Sequence, residues 1–439
     1  MRISSRQVWL AFSALSPLAM AKWTSPLPFW PVRDPMTVSK NNPSCAPETG
    51  ATQDGLPVGQ LLAFTVAGFL AIMTENMPAG LLPQIGTGLG VSEAMAGQTV
   101  TVYALGSVVA AIPIIAATRS WNRRPLFLLA IAGLLFFNTL TAISAHYGLT
   151  LLARFIAGMA AGVIWGLVAG YARRLAPPHL QGRALAIVGV GQPIALSLGV
   201  PLGAWLGGLA DWRAVFWIMS AVALALLVWV RLAVPDFPGQ AQQERLPVRK
   251  VITLPGVRPV LVVLFAWILA HNILYTYVAP FLIASRAGLG VELILLVFGL
   301  ASVIGIWGTG ILVDRHLRNV TLLSLVAFAT AALLLAIPHG SVPLILIGVG
   351  IWGLTFGGAP TLLQTALADT AGEQADVAQS ILVTIFNLAV AGGGLVGGLV
   401  MNEAGAGSLP WTLLPLIVIA LVAAWNATKH GFRVGQRAT

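Results

Sequence analysis

Of the 14 acidic residues in this 439-residue chain, only Glu75 lies well inside a long apolar run. A carboxylate in hydrocarbon is costly and must face a partner or a wet cavity. A carboxyl group held there can take up and release a proton, as a proton-driven machine requires. The competing reading is a static ion pair that locks two helices. Arg154 is the one Lys or Arg that falls within such a run. At 1.5 Å per residue, Glu75 sits roughly 24 Å from one surface and Arg154 about 8 Å from the other. Both then occupy the same half of a layer about 30 Å thick. Arg154 could instead snorkel to the nearby interface. His271 is a second candidate proton carrier, with a satisfied structural histidine as its alternative.

Around these groups lie residues able to hold a small solute. Tyr103, Trp165, Gln192, Asn272, Trp352 and Asn387 fall near the midplane, and Gln364 lies lower on its helix. Asn76, Tyr275 and Tyr277 complete the candidate set. Flat aromatic faces suit sugar rings or aromatic drugs, and amides hydrogen-bond hydroxyls. Each aromatic, taken alone, is equally at home between packed helices. Covalent chemistry has no foothold. The single cysteine, Cys45, excludes an internal disulfide framework, and no Cys/His cluster has metal-ligand spacing. No GxxxxGK[ST] loop offers a site for ATP. The expectation is no cofactor, no enzyme activity and a proton gradient as energy source.

The elements that must position these residues are helices. Charged residues make up 9% of the chain and hydrophobic ones 57%, too few charges to cover a soluble domain. Apolar runs predict twelve spans at about 59–83, 95–117, 125–145, 149–173, 183–208, 213–233, 257–285, 290–313, 319–338, 342–367, 376–402 and 409–427. Runs of that length in lipid must be helices, because their backbone groups have to be satisfied internally. The fold class is therefore an all-α membrane protein. The net charge of +10 is explained by topology rather than by nucleic acid. Of the 24 Lys and Arg residues, all but Arg154, Arg213 and Arg286 fall on one side, which places both termini and the central linker in the cytoplasm of an inner-membrane protein.

The spans divide six and six. The expected domains are residues 57–233, a cytoplasmic linker at 234–256, residues 257–428 and a tail at 429–439. Residues 1–56 form an extension expected to be disordered, or an over-long start with Met36 as initiator. Met1 to Ala21 has the outline of a secretory signal, but cleavage there would export the first terminus against the charge count. Two basic turns occupy matching places: Arg119, Arg123 and Arg124 after the second span, and Gly310, Asp314, Arg315 and Arg318 after the eighth. Ile164-Trp165-Gly166-Leu167 recurs as Ile351-Trp352-Gly353-Leu354, an apparent internal repeat. The fifth span carries Gly199, Gly203 and Gly207, the eleventh Gly393, Gly394, Gly397 and Gly398, a spacing that lets helix backbones approach in lipid.

Several ordered signatures carry a family resemblance: Thr74-Glu75-Asn-Met-Pro78-Ala-Gly80 in the first span, Arg154-Phe-Ile-Ala-Gly158 in the fourth, Gly199-Val-Pro201-Leu-Gly203 in the fifth followed by Asp211-Trp212-Arg213, and Tyr275-Thr-Tyr277-Val-Ala-Pro280-Phe281 ending the seventh. Over roughly residues 57–430 the chain resembles the major facilitator superfamily, in its bacterial sugar-efflux and drug:proton antiporter branch. The resemblance implies two pseudo-symmetric six-helix bundles and alternating access. It further implies proton-coupled efflux of a sugar-like compound, or of a drug such as chloramphenicol or a nucleoside, by a monomer. It points to Gly199, Pro201 and Gly203 and to the basic turns as gating elements, and the glycine–proline pattern favours export over an uptake symporter. One departure stands out. The family's first turn reads G-x-x-x-D-R-x-G-R-R, and here its acid is Arg119, its glycines are Ile115 and Asn122, and only Arg123-Arg124 survives.

Overall fold

The computed structural model describes residues 55–110, 114, 117–118, 120–239, 248–337 and 340–433. The expected N-terminal extension up to residue 54, the central part of the linker and Arg119 of the first basic turn lie outside them. Among the described residues there is no strand. The chain runs through α1 (Val58–Gly80), α2 (Glu93–Val109), α3 (Arg123–Ile143), α4 (Tyr147–Leu175), α5 (Pro178–Leu209), α6 (Trp212–Ala233) and α7 (Val257–Thr276). A continuous helix, Val291–Ala336, follows, with non-helical backbone at His316 (φ −133°, ψ 30°). At 1.5 Å per residue it is about 69 Å long, more than twice a hydrocarbon layer. It therefore makes two crossings, α8 before His316 and α9 after it. Then come α10 (Val342–Ala371), α11 (Ala375–Ala404) and α12 (Leu409–Asn426). Ten described helices are long and apolar enough to span a membrane. Counting the kinked helix twice and adding α2, whose 17 residues abut undescribed ones, gives twelve. Large apolar side chains such as Phe136 and Trp307 face outward, as a lipid-facing surface requires.

Two spans are shorter than expected. α1 breaks at Leu81 before a short helix, Leu82–Leu89, and α7 breaks at Tyr277 (φ −110°, ψ 27°) before Val278–Ser285. Prolines explain both. Pro83 and Pro280 have no N–H for the carbonyls of Ala79 and Thr276, and their rings crowd those carbonyls.

The internal repeat is real, but its register differs from the one the Ile-Trp-Gly-Leu quartets suggest. Gly106 of α2 lies against the Phe155 carbonyl of α4, and Gly305 of α8 against the Leu354 carbonyl of α10. Gly158 faces the Tyr103 carbonyl as Gly357 faces that of Ser302. Each second-half residue is 199 positions beyond its counterpart, as Val257 of α7 is beyond Val58 of α1. The quartets, 187 positions apart, are out of step with this register by about three turns and are a coincidence of composition. Between the halves, α2 packs on α11, α5 on α8 and α1 on α7.

The end of the molecule where α1 and α7 begin is here termed the linker end. There the chain leaving α6 folds back on α3 and α4. Asp236 accepts from the Arg124 backbone N–H and from the Asn122 amide, both at 2.9 Å. The Arg123 N–H donates to the Phe237 carbonyl at 2.8 Å, and Arg174 donates to that of Pro238 at 2.8 Å. In the second basic turn Arg318 donates to the carbonyls of Ala424, Trp425 and Phe432 at 2.8, 2.9 and 3.0 Å. A cation at the end of α12 suits that helix terminus. Asp314 and Arg315 lie just before the His316 kink, and Gly310 faces open space.

Candidate functional site

Pro78 prepares the site. It sits inside α1 and cannot donate to the carbonyl of Thr74, four residues earlier. Arg154 of α4 supplies the missing donor: Nη1 to the Thr74 carbonyl at 2.5 Å, Nη2 to the Glu75 carbonyl at 3.3 Å and Nε to the Thr99 carbonyl of α2 at 3.2 Å. Its guanidinium lies 4.6 Å from the centre of the Tyr103 ring, a cation–π contact. The Tyr103 hydroxyl donates to the Ala71 carbonyl at 2.9 Å, and Asn138 of α3 donates to the Thr74 hydroxyl at 3.0 Å. Four helices are thereby pinned around one charge.

This corrects two expectations. Arg154 is 0% exposed, so it does not snorkel. Nor does it grip the carboxylate of Glu75, since its fork is committed to backbone. Among the described residues the Glu75 carboxylate has neither a hydrogen bond nor an ion pair within 4.0 Å, and the residue keeps 7% of its surface exposed. Depth correctly placed the two residues together, but chain direction could not show that Pro78 leaves a carbonyl for Arg154.

The second half contributes an aromatic cluster from α7, α8 and α10. Trp352 Nε1 donates to His271 Nδ1 at 3.0 Å. The His271 ring stacks on Phe356, with centroids 3.4 Å apart and planes 9° apart. Phe298 and Tyr275 complete the cluster, their centroids 5.6 and 5.1 Å from that of His271. The Tyr275 hydroxyl is buried without a hydrogen-bond partner among the described residues. Phe298 and Phe356 escaped the sequence reading because an apolar aromatic in a membrane helix carries no mark of its neighbours.

The other candidates scatter. Asn76, Asn272 and Asn387 each donate to the carbonyl four residues earlier on their own helix. Trp165 is half-buried and lies over Gly68 of α1. Gln192 is half-buried on α5, and Gln364 is exposed on α10. Tyr277 lies apart from the aromatic cluster. Its hydroxyl meets the Gly394 carbonyl of α11 at 2.7 Å and the Ala94 carbonyl of α2 at 3.3 Å, and Gln98 donates to the same Gly394 carbonyl at 3.1 Å. These contacts join the two halves at the end opposite the linker. Gly199 and Gly203 of α5 lie on Met73 and Met77 of α1. Pro201, which cannot donate to Ser197, follows a turn widened into π geometry over Ala195–Gly199.

The sequence profile of the Major Facilitator Superfamily matches residues 64–374. The chain belongs to that superfamily. It is a multi-pass membrane transporter, with the fold of two six-helix bundles that the family shares. It is 31% identical over 369 residues to the purine ribonucleoside efflux pump NepI of Escherichia coli (strain K12), covering 82% of this chain and 92% of that protein. It is also 31% identical over 370 residues to the Pseudomonas aeruginosa protein named transcription regulatory protein OpdE, covering 82% and 91%. The crystal structure of a D-xylose-proton symporter matches with TM-score 0.71 and 15% identity, covering 86% of this chain and 98% of that one. The human organic anion transporter MFSD10 (TETRAN) matches with TM-score 0.64 and 17% identity, covering 84% and 100%. At such identities these structures speak for the fold alone.

Proposed function

We propose that this transporter exports a small neutral solute of the nucleoside kind, a sugar joined to a planar base, in exchange for protons. The observation that carries the reading is the Glu75 carboxylate: within a membrane helix, on the residue whose backbone carbonyl Arg154 bonds, and without a bonded partner among the described residues. A structural ion pair would have engaged it. A proton-exchanging group has to be left available. The relatives named as purine ribonucleoside efflux pumps support this solute class and direction. The flat faces of the α7–α8–α10 cluster suit a planar base. Sugars and drugs such as chloramphenicol are the neighbouring classes. The energy source is the proton gradient, with no cofactor. The halves rock about the central site in the inner membrane, with termini and linker in the cytoplasm, as the Lys and Arg distribution favours.

Inside-out vesicles with an acid interior test this directly. Labelled purine ribonucleosides should accumulate only while the pH gradient lasts. Accumulation that survives collapse of the gradient would remove proton coupling. Accumulation of sugars or chloramphenicol but of no nucleoside would move the solute class.

A further inference from the structure

Pro78 does more than shape α1. Among the described residues three charged side chains are buried: Glu75, Arg154 and Arg123. Arg123 is the first residue of α3, at the linker end. The remaining described charges stand at helix ends, in turns or beside the His316 kink. Among the described residues, the interior of the helix bundle therefore holds one acid and one base. The base is not on offer to a solute. Each of the three Arg154 nitrogens donates to a backbone carbonyl, the guanidinium lies over the Tyr103 ring, and the residue is 0% exposed. The shortest of its bonds, 2.5 Å, goes to the Thr74 carbonyl, the one that Pro78 leaves without a helical N–H. The acid is the reverse case: its carboxylate has no bonded partner among the described residues.

We propose that Pro78 sets the charge selectivity of the carrier: by withholding a donor from Thr74 it engages the one interior cation, so that phosphorylated solutes are refused. This deepens the nucleoside reading above and rests on it. A phosphate monoester carries about 1.5 to 2 negative charges near neutral pH. Taken into the interior it needs a cation or free donors, because an unpaired buried charge is strongly disfavoured. Here the arginine is already engaged and the one bare charge is a carboxylate. A neutral solute with the same base and sugar meets no such barrier. A nucleoside can thus leave while its nucleotide stays, and a phosphate group marks a solute for retention. With an N–H at position 78, the Thr74 carbonyl would have its helical partner, and Nη1 of Arg154 would be released to an anion.

The test compares adenosine, adenosine 5′-monophosphate and inorganic phosphate by calorimetry on purified wild type, Pro78→Ala and Glu75→Gln at neutral pH. Wild type should bind adenosine, and the monophosphate at least about a hundredfold more weakly. Pro78→Ala should still bind adenosine and should narrow that gap by about tenfold, through a gain in monophosphate affinity. Inorganic phosphate alone should bind Pro78→Ala and not wild type. Glu75→Gln, which keeps Pro78, should refuse the monophosphate as wild type does. A smaller gap in wild type, or an unaltered one in Pro78→Ala, overturns the proposal. So does monophosphate binding by Glu75→Gln, which would make repulsion from the carboxylate the source of the selectivity. Should Pro78→Ala not reach the membrane, Pro78→Ser restores the same N–H and is judged alike. If wild type binds no adenosine, the nucleoside reading fails by itself. Inorganic phosphate then still decides the selectivity: a gain in the Pro78 variants upholds it and no gain overturns it.

Discussion

Asp236 bonds the backbone N–H of Arg124 from 112 residues further along the chain. Asn122 stands at the N-cap of α3, yet its own side chain caps nothing. Arg124 is the second residue of that helix, where an N-cap oxygen ordinarily lands. The cap is therefore borrowed from the strand of chain leaving α6. The first basic turn, which has Arg119 at its acidic position, still meets a carboxylate in this way. Asp236→Ala should lower stability by about 1–2 kcal/mol and Asp236→Asn by less, since the amide keeps an oxygen acceptor. Thermal unfolding in detergent checks both. An unchanged midpoint for Asp236→Ala would show that the strap holds nothing.

Tyr277 seals the interface between halves. Its ring fits between α2 and α11 because Gly97, Gly397 and Gly398 carry no side chain there, and a Cβ on Gly397 would stand 2.7 Å from that ring. Tyr277→Phe keeps the ring and removes the bond to Gly394. A loss of about 1 kcal/mol is a population shift of about fivefold toward the open end. Alkylation of a cysteine at Thr101 from that end should quicken by a similar factor. Gly397→Val should leave the end open. Unaltered labelling in both variants would remove Tyr277 from the closure.

The span pattern, the depth of Glu75 and the nearness of Arg154 were legible because helix rise converts sequence position into depth. Lateral relations were not. Nothing in the sequence tells that Pro78 frees a carbonyl for Arg154, that the break at Tyr277 turns its hydroxyl toward Gly394, or that Asp236 reaches α3. Trp165 and Trp352 looked like equivalents because identical tetrapeptides surround them, but the register of 199 set by backbone contacts separates them. Trp352 is buried with its N–H on His271, while Trp165 is half-exposed over Gly68.

His271 is poorly placed to exchange protons. Its Nδ1 lone pair accepts the Trp352 indole N–H, and a proton there would oppose donor to donor. The other face of the problem is stacking: Phe356 lies flat on the ring. His271→Asn places an amide oxygen near the position of Nδ1 and should keep pH-driven transport. Trp352→Phe should reduce stability by about 1 kcal/mol by leaving Nδ1 without its donor. Loss of driven transport with intact exchange in His271→Asn would instead give the coupling role to the histidine.

The geometry separates the roles of Glu75 and Arg154. Arg154 serves three backbone carbonyls on α1 and α2, and each buried acceptor left bare costs about 1–3 kcal/mol. Arg154→Ala should therefore reach the membrane in small amounts and unfold early. Arg154→Lys, which keeps the charge but not the planar fork, should fold better than Ala and worse than wild type. Among the described residues the Glu75 carboxylate has no bonded partner to lose. Glu75→Gln should unfold at or above the wild-type temperature, bind solute and exchange it down its own gradient. What it should lack is uphill efflux on a pH gradient, because the amide cannot take up the proton. A structural lock would give the opposite pattern, with stability, exchange and driven transport falling together. Melting curves and paired transport assays on the same purified variants distinguish the two, and undiminished driven transport by Glu75→Gln would take the carboxylate out of the mechanism.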